Sequence, residues 1–579
     1  PYSKVTEGIM KEDFFPNWEE PAYKIEVKDV GNLALIAGAF NYFGLQSLID
    51  SKLGKKGSHV QVNTGAIVKA MVCQLLNVPY QSLNGTSEYY ERRPISSLLG
   101  DPALTAASLN RAVLSRTLDD IYEYGCEKLF VQCSKQISEK LGLTVNSVHI
   151  DSTSFHYDGQ TREEEGCDVV LNLGYSRDHR PELNQVISVM LCDELSRIPL
   201  YQKTVSGNVN DNKSFFDVVH DDLPLLKEQF RDLHYLTGDS ALCTGKILKE
   251  ATQKGLDVVT RVPDKLLIAK KCINAINDSD LESICPDDPT CMTKAKWCED
   301  ADIDGIRVKL LLVNNEAMRS KKELTIRKHA EKEREELEAK LKKLFTHPCK
   351  CRADAEKSVA ELEKKLKYCR LSDISYQEIL KQAHKGRPAK NEQKIVDAVK
   401  ITAKVTINEE EFSRKVDRSV RYVIATTDVK RKWTAAELIG VYKKQSVIER
   451  SWRFMKSKKL MVDALYLQKP SRITALMWLM IIALLIFSAT EYKIRQVMQE
   501  NNLTIPTLDH RKTTSRPTLQ RLFQYISNSS IHLIMIRQLD QFEISGLTRS
   551  LIDLINALGR DWATYFLSAT YRAEPGEDF

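Results

Sequence analysis

Val145-Asn-Ser-Val-His-Ile-Asp-Ser-Thr-Ser154 is the stretch on which the fold is decided. Upstream of it apolar residues recur at helical spacing; within it they alternate, and alternation is the signature of a strand. The strand closes in a turn near Asp158-Gly159. Its period of two puts Asp151 on one face with His149 and Thr153. Downstream, VVLNLGYSRD from Val169, QVISVMLCD from Gln185 and IPLYQKTVSG from Ile198 predict three further strands. Short links between them favour an antiparallel meander. The polar turn Asn208-Val-Asn-Asp-Asn212 can cap a helix starting near Lys213. His234-Tyr-Leu-Thr-Gly-Asp239 is another extended run, Ser240 is placed to cap a helix reaching about Lys254, and Asp257 to Val262 returns to strand.

The order is therefore three or four antiparallel strands, helix, strand ending in Asp, helix, strand. That is the pattern of an α/β fold with a ribonuclease-H-like mixed sheet. It brings Asp151 and Asp239 toward one sheet edge. A strand carboxylate is costly to bury without a partner, and two in this order are candidates to act together.

Around this core, residues 1–144 read as a mostly helical accessory or DNA-binding domain, with Asn63-Thr64-Gly65 opening an apolar-faced helix. The sheet occupies 145–263, an insertion 264–420, the second part of the sheet domain 421–500, and a helical C-terminal region 501–579. A chain of 579 residues exceeds one ordinary core. With 42% hydrophobic and 28% charged residues it is not a largely disordered chain. A net charge of +6 permits nucleic-acid binding without establishing it. The 13 cysteines are scattered, and reduced thiols in a cytosolic protein are the expectation. Ile473 to Thr490 carries no charge, at the lower edge of a membrane-spanning length; the charged pattern that continues through Glu491, Lys493 and Arg495 favours a helix buried in the protein core.

Within the insertion, Lys322 to Leu344 and Ala353 to Cys369 read as charged helices with narrow apolar seams, and so as an antiparallel helical hairpin. His347, Cys349, Cys351 and Cys369 lie there, yet a helix between them would hold Cys369 about 25 Å away. Zinc-type spacing is absent. Lys385-Gly-Arg-Pro-Ala-Lys390 reads as a basic linker, with minor-groove insertion the alternative.

After the strand Arg421–Thr427, Thr434 and Glu437 make a capping-box spacing, and a long helix is predicted through Lys456. Tyr442, Gln445, Glu449, Trp452 and Lys456 then form one stripe. Alone the stripe is an ordinary half-exposed helix face. With two strand acids upstream, Glu449 becomes a third.

Asp151, Asp239 and Glu449, in that order with an insertion before the last, resemble the DDE transposases of bacterial insertion sequences. The resemblance is most specific to the IS-four group, whose Tyr-(2)-Arg-(3)-Glu-(6)-Lys signature reads here Tyr442, Gln445, Glu449 and Lys456. Gln445 departs from the signature's Arg. Gly174-Tyr-Ser-Arg-Asp-His-Arg-Pro-Glu-Leu-Asn-Gln185 and Gly207-Asn-Val-Asn-Asp-Asn-Lys213 also resemble segments of that group. The resemblance implies that Asp151, Asp239 and Glu449 hold two Mg²⁺ (or Mn²⁺) ions, that double-stranded DNA is both the element end and the target, and that a homodimer acts on it. It implies DNA contacts for Tyr442, Gln445, Lys456, Arg453, Lys458 and Lys459, a bacterial cytoplasmic, nucleoid-associated location, and no membrane role. The rivals are a ribonuclease-H-like nuclease without strand transfer, a catalytically decayed DNA-binding protein, and a helical scaffold.

Overall fold

The computed structural model describes residues 25–54, 62–77, 83–100, 104–159, 163–176, 180–382, 394–456, 467–507, 512–536 and 541–566. The chain forms two compact units, Pro1–Asp257 with Lys443–Phe579, and Val258–Tyr442.

The first unit opens with a strand, Ile25–Asp29, paired antiparallel with His532–Ile536, and continues with helices, among them Leu33–Phe43, Thr64–Asn77, Arg111–Tyr124 and Cys126–Lys140. Asn110 caps the third of these by accepting from Ala112 and Val113 N–H. The sheet comes next: β1 (Ser147–Tyr157), β2 (Asn184–Asp193), β3 (Pro199–Ser206) and β4 (Tyr235–Gly238). Their spatial order is β3-β2-β1-β4. β1 pairs antiparallel with β2 and parallel with β4. This mixed arrangement is the expected ribonuclease-H-like one. β1 and β2 are buried almost throughout, as strands covered on both faces must be.

One expected strand does not form. Within Val169–Asp178 the described residues make a single bridge, Asn172 to Gln185. From Val186 onward β2 is already paired with β3 on that side, so only Gln185 is open to it. Gly174 seats the segment against Gly207, where a Cβ would lie 2.1 Å from the Gly207 carbonyl oxygen.

The second unit opens with β5 (Asp257–Val262) and continues through β6 (Thr293–Trp297) and β7 (Ile306–Asn315). Then come helices α1 (Arg319–Thr346) and α2 (Arg352–Glu363), a long hairpin of β8 (Cys369–Lys381) and β9 (Ile395–Ile407), strand β10 (Arg421–Thr426) and helix α3 (Ala435–Lys443). β10 lies between β5 and β7, antiparallel to both.

The expected helix to Cys369 is corrected here: it ends at Glu363, and Cys369 begins a strand. The Glu333 carboxylate on α1 accepts hydrogen bonds from the N–H groups of Lys367, Tyr368 and Cys369 at 2.9, 2.6 and 2.9 Å. A continuing helix would need those donors for itself. The two helices consequently seat their seams on strands. Leu337 and Leu341 of α1 pack with Cys369, and Ala355 and Val359 of α2 pack with Val399 and Ile401 of β9. Among the described residues no three His, Cys, Asp or Glu side chains form a metal-holding group.

The chain then returns to the first unit with α4 (Ser446–Met455) and α5 (Pro470–Glu500). The apolar stretch lies inside α5, and 89% of its 18-residue window is buried. Trp478, Leu479 and Ile481 have no exposed surface. α5 packs on the N-terminal helices and on β3, and Arg472 grips Asp119 through two bonds of 2.7 Å. A length of polypeptide that could span a bilayer is used here as the axis around which a protein core assembles. Near the C-terminus Trp562 lies over Gly38, where a Cβ would come within 2.3 Å of the indole.

Candidate active site

β1 carries His149, Asp151, Thr153 and Phe155 on one face. In the parallel ladder with β4, His149 faces Thr237 and Ile150 faces Gly238. The next position on each strand is the acid: Asp151 on β1, Asp239 just past the end of β4. Adjacent strands lie about 4.8 Å apart, so the two carboxylates leave neighbouring positions on one edge. Gly238 permits the close approach, since a Cβ there would sit 2.9 Å from the Ile150 Cγ2.

Asp239 then leaves the sheet. Its Oδ1 accepts from Ala241 N–H at 2.9 Å and caps the short turn Ser240–Leu242. The helix expected to start at Ser240 starts instead at Gly245, capped by Thr244. Asp151 Oδ1 accepts from Ser152 N–H at 2.9 Å, and Ser152 Oγ donates to Asp211 Oδ1 at 2.6 Å. Asp211 thus stands on the opposite face of β1, on the helix that Asn210 caps.

Glu449 arrives on α4. The long helix expected from 435 to 456 is interrupted at Lys444 and Gln445, so the predicted continuous stripe is divided. Lys444 is drawn to Glu194, with Nζ–Oε1 2.5 Å. Glu194 N–H donates to Ser147 O, which ties this end of α4 to the start of β1. At its other end Trp452 meets Phe155 edge-on, with ring centroids 6.2 Å apart, and Lys456 Nζ lies 5.8 Å from the same ring. α4 therefore runs alongside β1 in the same direction. Along the chain Glu449 falls between the two anchors. It is exposed. The two aspartates are brought to adjacent positions; Glu449 lies on α4, and the three do not form a metal-holding group among the described residues.

The other residues expected to contact DNA differ in their surroundings. Tyr442, in the second unit, tilts against Tyr422 at 6.1 Å. Gln445 is buried at 8% exposure, so the position that departs from the signature is not presented to solvent. Arg453 is exposed and Lys456 half-buried. Lys458, Lys459 and the Lys385–Lys390 segment lie outside the described residues.

Sequence reading missed the Lys444–Glu194 anchor and the state of His149. His149 is buried and neither ring nitrogen has a hydrogen-bond partner. Burial pushes its pKa down to about 4, with Glu194 raising it and Lys444 lowering it. The signal for the anchor was an acid directly after β2, but nothing local names its partner.

Comparison with known proteins bears on this geometry. No curated protein matches the chain. Among solved structures, the piggyBac transposase synaptic complex with hairpin DNA aligns over 93% of this chain and 88% of its own, at 11% identity and a TM-score of 0.36. The Mos1 transposase paired-end complex with the left transposon end aligns over 35% of this chain and 60% of its own, at 7% identity and a TM-score of 0.14. Neither alignment carries weight at such scores. Residues 25–135 match a domain of unknown function, DUF4277. Residues 148–486, more than half of the sequence and the whole span from β1 through most of α5, match the transposase DDE domain, and the chain belongs to that family of DNA transposases.

Proposed function

We propose that Asp151, Asp239 and Glu449 are the three acids of this transposase and together hold two Mg²⁺ or Mn²⁺ ions. The observation that carries the reading is the β1–β4 register, which ends at Ile150 and Gly238 and so leaves both aspartates on neighbouring positions. Two carboxylates that close repel, and a divalent cation with oxygen ligands suits the donor set. Such ions activate the attacking oxygen and stabilise the leaving oxygen of a phosphodiester. The chain's own part is positional. β1 and β4 fix two acids, and α4, held at Glu194 and Phe155, would supply the third. Exposed Arg453 and half-buried Lys456, further along the chain from Glu449, would contact phosphates.

We assign the chain to the IS-four-like group, with Gln445 in the signature's Arg position. Acting on element ends and target as a homodimer in the bacterial cytoplasm follows from that assignment. The test is single replacement, Asp151→Asn, Asp239→Asn and Glu449→Gln, in an Mg²⁺-dependent cleavage assay on a labelled element end with a target plasmid. Each variant should lose cleavage and joining while still binding DNA. Full activity in any one would remove that residue from the site. Cleavage by the unaltered chain without any joining would instead favour a nuclease.

A further inference from the structure

Arg197 lies at the turn between β2 and β3 and is exposed, in a left-handed backbone conformation (φ 68°). Such a conformation is unfavourable for an arginine unless the surroundings hold it. Three residues earlier, Glu194 ties this turn to α4 through Lys444. α5 packs on both β3 and α4, with Phe454 and Phe487 rings 4.3 Å apart. On α5, Arg495 Nε donates to the Pro517 carbonyl at 2.8 Å, and its Nη2 pairs with Glu491 at 2.8 Å. Glu491 also accepts from Leu519 N–H at 2.8 Å. These bonds hold exposed Arg516 beside Arg495. Arg450, next to Glu449, is exposed too.

The four arginines thus stand on four segments that these contacts tie together, and the Glu491 carboxylate is paired with Arg495. Partial burial, and after it the charges of Arg450 and Arg495, hold the Arg197 pKa below the usual arginine value, with Glu491 opposing and Arg516 adding to the effect. Like charges placed this way oppose one another and gain when an anion spans them. A fork of N–H donors on a guanidinium matches phosphate oxygens.

We propose that Arg197, Arg450, Arg495 and Arg516 form a contact surface for the phosphate backbone of duplex DNA, flanking the acid site. The assignment rests on the reading of the chain as a DNA transposase. Arg450 adjoins Glu449 and Arg495 braces its loop, so the informative pair is Arg197 and Arg516. The probe is a fluorescein-labelled duplex of mixed sequence, titrated with the full chain across a salt series. Non-specific binding through phosphates weakens with salt at a slope of about 0.9 per contact. The R197Q/R516Q chain should therefore show a slope shallower by about 1.8, so that wild-type affinity falls about 12-fold more than the variant's between 50 and 200 mM salt. R197K/R516K should recover most of the slope, and all three proteins should melt at the same temperature. An unchanged slope in R197Q/R516Q, with wild type binding and cleaving DNA, overturns the surface and leaves the acid site standing. Wild type that binds no duplex at any salt overturns both.

Discussion

Replacing His149 by Leu should make the first unit more stable, and more so the lower the pH. The ring is 1% exposed and neither nitrogen is paired, so at neutral pH the side chain buries polar atoms for no hydrogen bond. Removing them at similar volume is worth about 1–2 kcal/mol. Acid adds a second contribution. The folded pKa is about 4 against an unfolded value of 6.5. Between those values the unfolded chain takes up a proton that the folded chain refuses. Stability is then fully present above about pH 6.5 and is lost as pH falls through 4, by about 3 kcal/mol over the interval. The Leu variant has no such proton to bind, so its advantage should widen from about 1–2 kcal/mol at pH 7 to about 4–5 at pH 4. Asp193 also titrates abnormally, its carboxyl raised by burial, but it does so in both proteins and drops out of the difference. A chain of two units need not unfold in one step. The readout is therefore the urea midpoint for exposure of the Ser147–Tyr157 peptide, monitored by pulsed hydrogen exchange at several pH values. Midpoints that run parallel from pH 7 to 4 would refute the titration. A Leu variant less stable at pH 7 would show that the ring nitrogens are satisfied in solution.

Three further outcomes are expected. Trp452→Ala removes a ring that is 5% exposed and seats α4 on Phe155, so it should cost about 3–5 kcal/mol locally and suppress cleavage, whereas Trp452→Phe keeps most of both; an Ala variant with full cleavage would mean that this contact does not hold Glu449 in place. Gly238→Ala puts a methyl 2.9 Å from Ile150 Cγ2 and should part β1 from β4 at the two aspartates, costing about 1–3 kcal/mol and lowering cleavage rate more than DNA affinity; unchanged kinetics would contradict the role given to the register. Lys69, fully buried with its pKa pushed down to about 8 by burial, is charged in the fold at neutral pH at a cost of up to about 3 kcal/mol. Lys69→Met should therefore melt higher at pH 7, because Asn41 still donates to Tyr565 when the amine is gone, and the gap should close as pH rises toward 10; a variant less stable at pH 7 would mean that the amine's bonds to Asn41 and Tyr565 outweigh its desolvation.

The strand identity of 145–154 and the placement of Asp239 at a strand end were legible because both depend on local pattern: alternation in one case, a Gly-Asp exit in the other. The pairing of Ile150 with Gly238 was not, since a register between residues so far apart in sequence leaves no mark on either strand. The second helix of the insertion shows the reverse failure. Val359, Leu362 and Leu366 keep helical spacing, yet the helix stops at Glu363 because Glu333, on the preceding helix, captures the next free N–H groups. Periodicity reports which face is apolar; it does not report which distant carboxylate competes for the backbone.

Gln445 shows how surroundings can reverse the meaning of a departure from a family signature. Taken from the signature it reads as a lost phosphate contact, but its environment gives it another role. It sits at the interruption between α3 and α4, buried, with its carbonyl accepting from Ile448 N–H at 3.1 Å and Glu449 N–H at 3.5 Å. The residue before it is turned to Glu194. An arginine at 445 would have to bury a guanidinium beside that anchor or displace it, and an unpaired buried charge costs several kcal/mol. The exposed cationic group next to Glu449 is instead Arg450, the following residue. Gln445→Arg should accordingly weaken the seating of α4 and lower cleavage. A gain in activity would show that the buried position is free to open and that the signature's arginine was the better solution here as well.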